Sequence, residues 1–156
     1  MPETSNYMKL TEGVHTFRVL SSAIVGYEYF KSDNKPVRSR DIFDEIPDDM
    51  KKDGRISHFW AFVVYNYEAK RVQILEITQK TIMTPLKALI DNPKWGSPFS
   101  YDITITRKGT TKQDTEYTIM PNPSEPLSEE VQNAYIGGPK IDLEKLYKNE
   151  DPFTGK

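Results

Sequence analysis

A chain of 156 residues makes one domain with room for a short appendage, and 37% hydrophobic and 28% charged residues suit a soluble globular core. No apolar run approaches the ~20 residues that cross a bilayer, and the polar stretch from Met1 to Lys9 lacks the apolar centre of a secretory signal. Cysteine is absent, which excludes disulfides, thiolate zinc sites and cysteine nucleophiles and suits a reducing cytoplasm. The net charge of −2 argues against a polyanion ligand until its distribution is read. Residues 124–156 hold seven acids against four lysines, which leaves sixteen acids and seventeen bases in the body of the chain.

Strand patterning begins at Val14–Leu20, where β-branched and aromatic residues alternate with polar ones. Ile24–Phe30 continues it, as a second strand or as the same long strand bent at Gly26. The polar stretch Lys31–Arg55 carries Pro36, Pro47, Gly54 and the acids Asp41, Asp44, Glu45, Asp48 and Asp49. It exceeds the ~12–15 residues usual for a structureless loop, which marks it as functional or partly mobile. The run His58–Tyr67 followed by Lys70–Ile77 reads as a hairpin turning at Glu68-Ala69. If Tyr67 opposes Lys70, Val63 faces Ile74 and Tyr65 faces Val72 on one side, with Phe62–Leu75 and Trp60–Ile77 on the other.

Thr78 suits a helix N-cap, and Ile82, Leu86, Leu89 and Ile90 form one stripe at helical spacing within Gln79–Ile90. Pro85 favours a start near Thr84, with the proline in the first turn. Tyr101, Ile103 and Ile105 alternate along a fourth strand, and Thr115–Met120 returns as a fifth. Beyond Pro121-Asn122-Pro123, Ser128–Tyr135 and Ile141–Tyr147 read as short helices in a weakly structured tail. The order, three strands, a helix and two strands, predicts a mainly β fold: a five-stranded OB-type barrel with one helix between strands 3 and 4. The barrel would occupy residues 1–123, with a partly helical acidic C-terminal tail at 124–156.

Single-strand binding needs flat rings for base stacking and cations along the phosphate path. Among the rings, Tyr27, Tyr29, Trp60 and Tyr65 are the candidate platforms, although several of the aromatic side chains must fill the core instead. Lys35, Arg38, Arg40, Arg55, Arg71 and Arg107 are the candidate phosphate contacts. Arg38 and Arg40 would share a side if extended; solvated loop charge is the alternative. The two histidines, His15 and His58, lack any accompanying catalytic motif, and the loop acids lack the order of a calcium loop. Neither catalysis nor a metal or cofactor is expected.

The segments His58–Tyr67 and Gln73–Ile82 resemble phage-encoded single-stranded DNA-binding proteins of the OB type, including the core of the T-even phage helix-destabilising protein. The tail with Glu150-Asp151-Pro152-Phe153 resembles the acidic, Phe-containing tails of replication single-strand binders. The resemblance implies coating of single-stranded DNA in replication, recombination or repair in a host cytoplasm, with Glu150, Asp151 and Phe153 recruiting partner proteins. The T-even protein's cysteine-ligated zinc has no counterpart here. On physical grounds the anionic tail would also compete with DNA for the groove, an effect weakened by salt. The near-neutral body motivates an alternative, an OB-type protein-interaction module; a small nuclease using His58 and the loop acids is a third reading.

Overall fold

The computed structural model describes residues 6–155 apart from Ile42, Ile46, Asp53, Lys112, Pro139 and Asn149. In chain order the strands are β1 (Gly13–Val19), β2 (Ile24–Phe30), β3 (Pro36–Ser39), β4 (Ser57–Asn66), β5 (Arg71–Ile77), β6 (Asp102–Lys108), β7 (Glu116–Pro121), β8 (Lys140–Ile141) and β9 (Phe153–Gly155). Helix α1 (Lys80–Ile90) follows β5 and α2 (Glu129–Gly137) follows β7, with 3₁₀ turns at Pro98–Ser100 and Leu143–Lys148. No helix among the described residues is long and apolar enough to span a membrane.

The fold is mainly β, an open antiparallel sheet of seven strands ordered β3-β2-β4-β1-β6-β7, with β5 on the other edge of β4. Five closed strands were expected. Two features raise the count. The 31–55 connection contributes β3, and the long first strand is interrupted. β1 and β2 share one edge of β4, with Val19 opposite Val64 and Ile24 opposite Ala61. Four intervening residues, 20–23, thus match two on the other side, 62–63, a bulge that bends the strand. Leu20 N–H bonds Val63 O at 2.7 Å, and Ser21 Oγ accepts from Val63 N–H at 2.9 Å, so the break is hydrogen-bonded. The bend is at 20–23 rather than at Gly26. Glycine is needed at Gly26 for another reason: a Cβ there would run into the Ser39 carbonyl and meet the Phe59 and Tyr147 rings at 3.0 and 3.1 Å.

The β4–β5 register follows the expected pairs, Trp60–Ile77, Phe62–Leu75, Val63–Ile74 and Tyr65–Val72. The outer edge of β5 is capped by residues 6–8, through Ile74 N–H to Asn6 O and Met8 N–H to Ile74 O. Among the described residues no ladder joins β5 to β7, so the sheet is not closed by strand pairing.

Both faces of β4 are apolar because each has a cover. Phe17, Val19, Phe62, Val64, Leu75, Ile77, Ile103 and Ile105 pack against Ile82, Met83, Leu86 and Leu89 of α1. That burial explains why α1 starts at Lys80 and tolerates Pro85 in its interior, contrary to the expected start near Thr84. One backbone bond is lost at Pro85, while Ile82 and Leu86 are wholly buried, worth ~1.5–3 kcal/mol each. The N-cap residue is Gln79, not Thr78, and makes no side-chain cap.

The other face, Phe59, Ala61, Val63, Tyr65, Val72 and Ile74, is covered by Val131, Leu143 and Leu146. Here the expectation of a weakly structured tail is corrected. Ser128 caps α2 by accepting from Val131 N–H at 3.3 Å, and Tyr147 Oη donates to Val25 O at 2.5 Å. Phe153 packs half-buried on the same cluster. The C-terminal segment is a layer of the fold.

Candidate nucleic-acid interface

The connection between β3 and β4 is stitched onto the end of β2. Asn34, in a left-handed conformation, closes a tight turn with Asn34 N–H on Lys31 O. Ser32 N–H bonds Asp49 O, Lys51 N–H bonds Phe30 O, and Gly54 N–H bonds Lys51 O. Tyr29 Oη anchors the same connection on Asp49 Oδ1 at 2.7 Å. These bonds hold Lys51, Lys52 and Arg55 around the exposed Phe30 ring in a groove of about 1010 Å³, with Asn34 and Ser57 completing its wall. Arg55 and Ser57 also line an adjoining concavity of about 410 Å³, which adds His58, Gln79 and Lys80. Among the described residues, no carboxylate lines either one. Phe30 is 43% exposed, and the His58 ring lies 4.5 Å from that of Tyr27, its cross-strand partner. The combination is a cationic trough with flat faces.

A second charged cluster, around Arg38, is of a different kind. Arg38 Nε donates to Glu28 Oε1 and Glu76 Oε2, and Nη2 donates to Glu76 Oε1, each at 2.9 Å. Burial, reinforced by hydrogen bonding with Glu76 and by its charge, pushes Glu28 up to about 8. Burial also presses Glu76 upward, but its hydrogen bonds with Glu28 and Arg38 outweigh that and hold it below the ordinary carboxylate range. One guanidinium thus serves two carboxylates.

The sequence-derived candidates separate on this geometry. Arg55 lines the trough, and Tyr27 pairs its ring with His58 of the adjoining concavity. Tyr29 is corrected as a stacking platform: it is buried, with its ring edge-on to Phe43. Tyr65 is also buried, its hydroxyl directed at Glu130 and its ring against Tyr67, because its face of β4 is the one the C-terminal layer covers. Trp60 is half-buried against the inner core. Arg38 lies on β3 and Arg40 just past its end, and both meet acids: Arg38 in the triad, Arg40 bonded to Glu144 and 4.5 Å over the Tyr147 ring. Arg71 Nη2 donates to Asn6 Oδ1 and Arg107 Nη1 to Leu10 O, both tying down the N-terminal segment. Lys35 is exposed and, with Lys31, faces Glu150 and Asp151 across a concavity of about 450 Å³.

The pattern reading missed Lys51, Lys52 and Lys80, although the Lys51-Lys52 pair three residues from Arg55 was a visible signal. It also missed Arg18, the most buried charge among the described residues at 1% exposure. Arg18 Nε bonds Asp102 Oδ1 at 2.7 Å, Nη1 bonds Phe99 O at 3.0 Å and Nη2 bonds Glu125 O at 3.2 Å. Tyr67 Oη donates to the same Asp102 oxygen, and burial with that bond raises the Tyr67 hydroxyl far above its usual range. His15 is buried on β1, with Nε2 2.7 Å from Thr11 O, whereas His58 is exposed on β4 beside Tyr27. Among the described residues no cluster of three or more His, Asp or Glu side chains could hold a metal ion. No protein-family model, curated protein or solved structure matches the chain.

Proposed function

We propose that the chain is a sequence-tolerant single-stranded DNA-binding protein on an OB-type core. The core reading rests on strand connectivity: one long bent strand (β1 and β2) pairs with β4 and β6, and α1 lies between β5 and β6 in the chain. Counting β1 and β2 together, the five OB-type strands are that bent strand, β4, β5, β6 and β7, in a partly open barrel. The observation that carries the ligand is the cationic trough, where Lys51, Lys52, Arg55 and Lys80 gather with the exposed Phe30 ring and with His58, itself paired with Tyr27. Several cations gathered along a groove suit a phosphate backbone, and exposed ring faces suit unpaired bases, which a duplex keeps stacked. Such a protein coats exposed single strands in the cytoplasm during replication, recombination or repair.

With three or four cations engaged, log affinity falls with log salt at a slope of about −2 to −3. Anisotropy of labelled oligo-dT against salt tests this. Absence of binding at low salt refutes the reading. A protein-interaction role is favoured by one other observation, the exposed Tyr135 and Ile136 at the end of α2. Capture of a stoichiometric protein partner that oligo-dT cannot displace would select it.

A further inference from the structure

Two large rings remain in solvent on the connection between α1 and β6. Trp95 is 40% exposed and Phe99 43% exposed. A mobile loop could bury them by collapse, but this one is pinned. Trp95 N–H bonds Asn92 O, Lys94 N–H bonds Asn92 Oδ1, and Ser97 Oγ accepts from Phe99 N–H. Ser100 O accepts from Glu125 N–H, and the wholly buried Arg18 holds Phe99 O. The Trp95 ring lies tilted at 54° beside the buried Tyr101 ring, 6.0 Å between centroids, a contact that helps fix the indole. Rings fixed in position lose little entropy on binding, so their exposed apolar area is available to a ligand.

The location connects this loop to the trough. Lys80, the first residue of α1, lines the trough. The helix runs eleven residues, about 16 Å, to the loop. Lys80 and Lys87 lie two turns apart on one side of it, and Lys94 is exposed just beyond its end. The one acid on that stripe, Asp91, is already bonded to Lys87. Charge at the loop itself is sparse, with Lys94 its single basic residue, so what the loop offers is ring surface.

Building on the single-strand reading, we propose that Trp95 and Phe99 form a second base-stacking station, reached by a strand that leaves the trough at Lys80 and follows α1. A short oligonucleotide fills the trough alone; a longer one stacks a base on each exposed ring. Stacking of one base contributes a factor of about 5 to 150 in affinity.

The test titrates the full chain and its Trp95→Leu/Phe99→Leu variant with oligo-dT of about six and about twenty nucleotides. Leucine keeps apolar bulk without a flat face, and circular dichroism melts verify folding. The proposal expects the variant to bind the long oligomer at least fivefold more weakly and the short one unchanged. It further expects the long oligomer to quench wild-type tryptophan fluorescence, with most of that quench lost in Trp95→Leu. Equal long-oligomer affinity in variant and wild type, or undiminished quench in Trp95→Leu, overturns it. Should the double variant misfold, the quench in Trp95→Leu alone decides. Wild type that binds neither oligomer refutes the single-strand reading itself, a result separable from tight binding that ignores Trp95.

Discussion

Removal of residues 124–156 distinguishes a layer of the fold from a detachable tail. The deletion strips Val131, Leu143 and Leu146 from the outer face of β4 and β5. All three are buried, at ~1.5–3 kcal/mol each, so about 5–9 kcal/mol is lost before the newly wetted Phe59, Val63 and Ile74 are considered. Whole domains are stable by only about 5–15 kcal/mol. The truncated chain should therefore be unfolded or molten at room temperature, with enhanced binding of a hydrophobic dye and no cooperative urea transition. A single Leu146→Ala change should cost about 2–5 kcal/mol in urea midpoint analysis of the intact chain. A truncated chain that melts cooperatively near the full-length temperature, binds no dye and takes DNA more tightly at low salt would refute this account and restore a competing acidic tail.

The Glu28–Arg38–Glu76 cluster makes stability fall with rising pH. Glu28 rises to about 8 in the folded state from 4.5, so its contribution is complete below about 4.5 and lost as pH climbs through 8. Glu76, shifted downward, acts only in acid and leaves that window alone. Glu28→Gln should therefore flatten the fall in melting temperature between pH 5 and pH 9; an unchanged slope would show that Glu28 does not hold the proton. Arg18→Met leaves Asp102 in a largely buried site with only Tyr67 for a partner and should cost about 3–5 kcal/mol by urea unfolding, part of it recovered in Arg18→Met/Asp102→Leu. Arg55→Ala should lower the salt slope of oligo-dT binding by about 0.7, whereas Arg38→Ala should lower melting temperature and leave that slope intact. Gly26→Ala, with its methyl directed into Ser39 O, should destabilise β2–β3 visibly in a thermal melt.

Local pairing was legible in the sequence because it obeys local rules. The β4–β5 register follows from a short turn and strict two-residue alternation, and the apolar stripe of α1 from helical spacing. Packing against distant segments was not legible. Both faces of β4 read as apolar, but nothing in the strand says that Leu143 and Leu146 cover one of them. The fate of each arginine is equally non-local. Arg38 and Arg55 look alike in the chain, and only the positions of Glu28 and Glu76 decide that one closes an ion cluster while the other faces a groove. Pro85 misled for the same reason, since its helix is kept by tertiary burial rather than by propensity.

The buried Arg18 also sets an order of events during synthesis. Its three acceptors lie 81, 84 and 107 residues further along the chain. The first strand therefore leaves the ribosome carrying a cation whose partners do not yet exist, beside strands whose outer face stays bare until residues 131–146 arrive. Contacts of such long sequence separation form late and slowly, and bare apolar strands are the species that aggregate. Arrival of residues 131–146 becomes the committing step of folding, so a ribosome that stalls or terminates before them releases a sticky fragment rather than a smaller working protein.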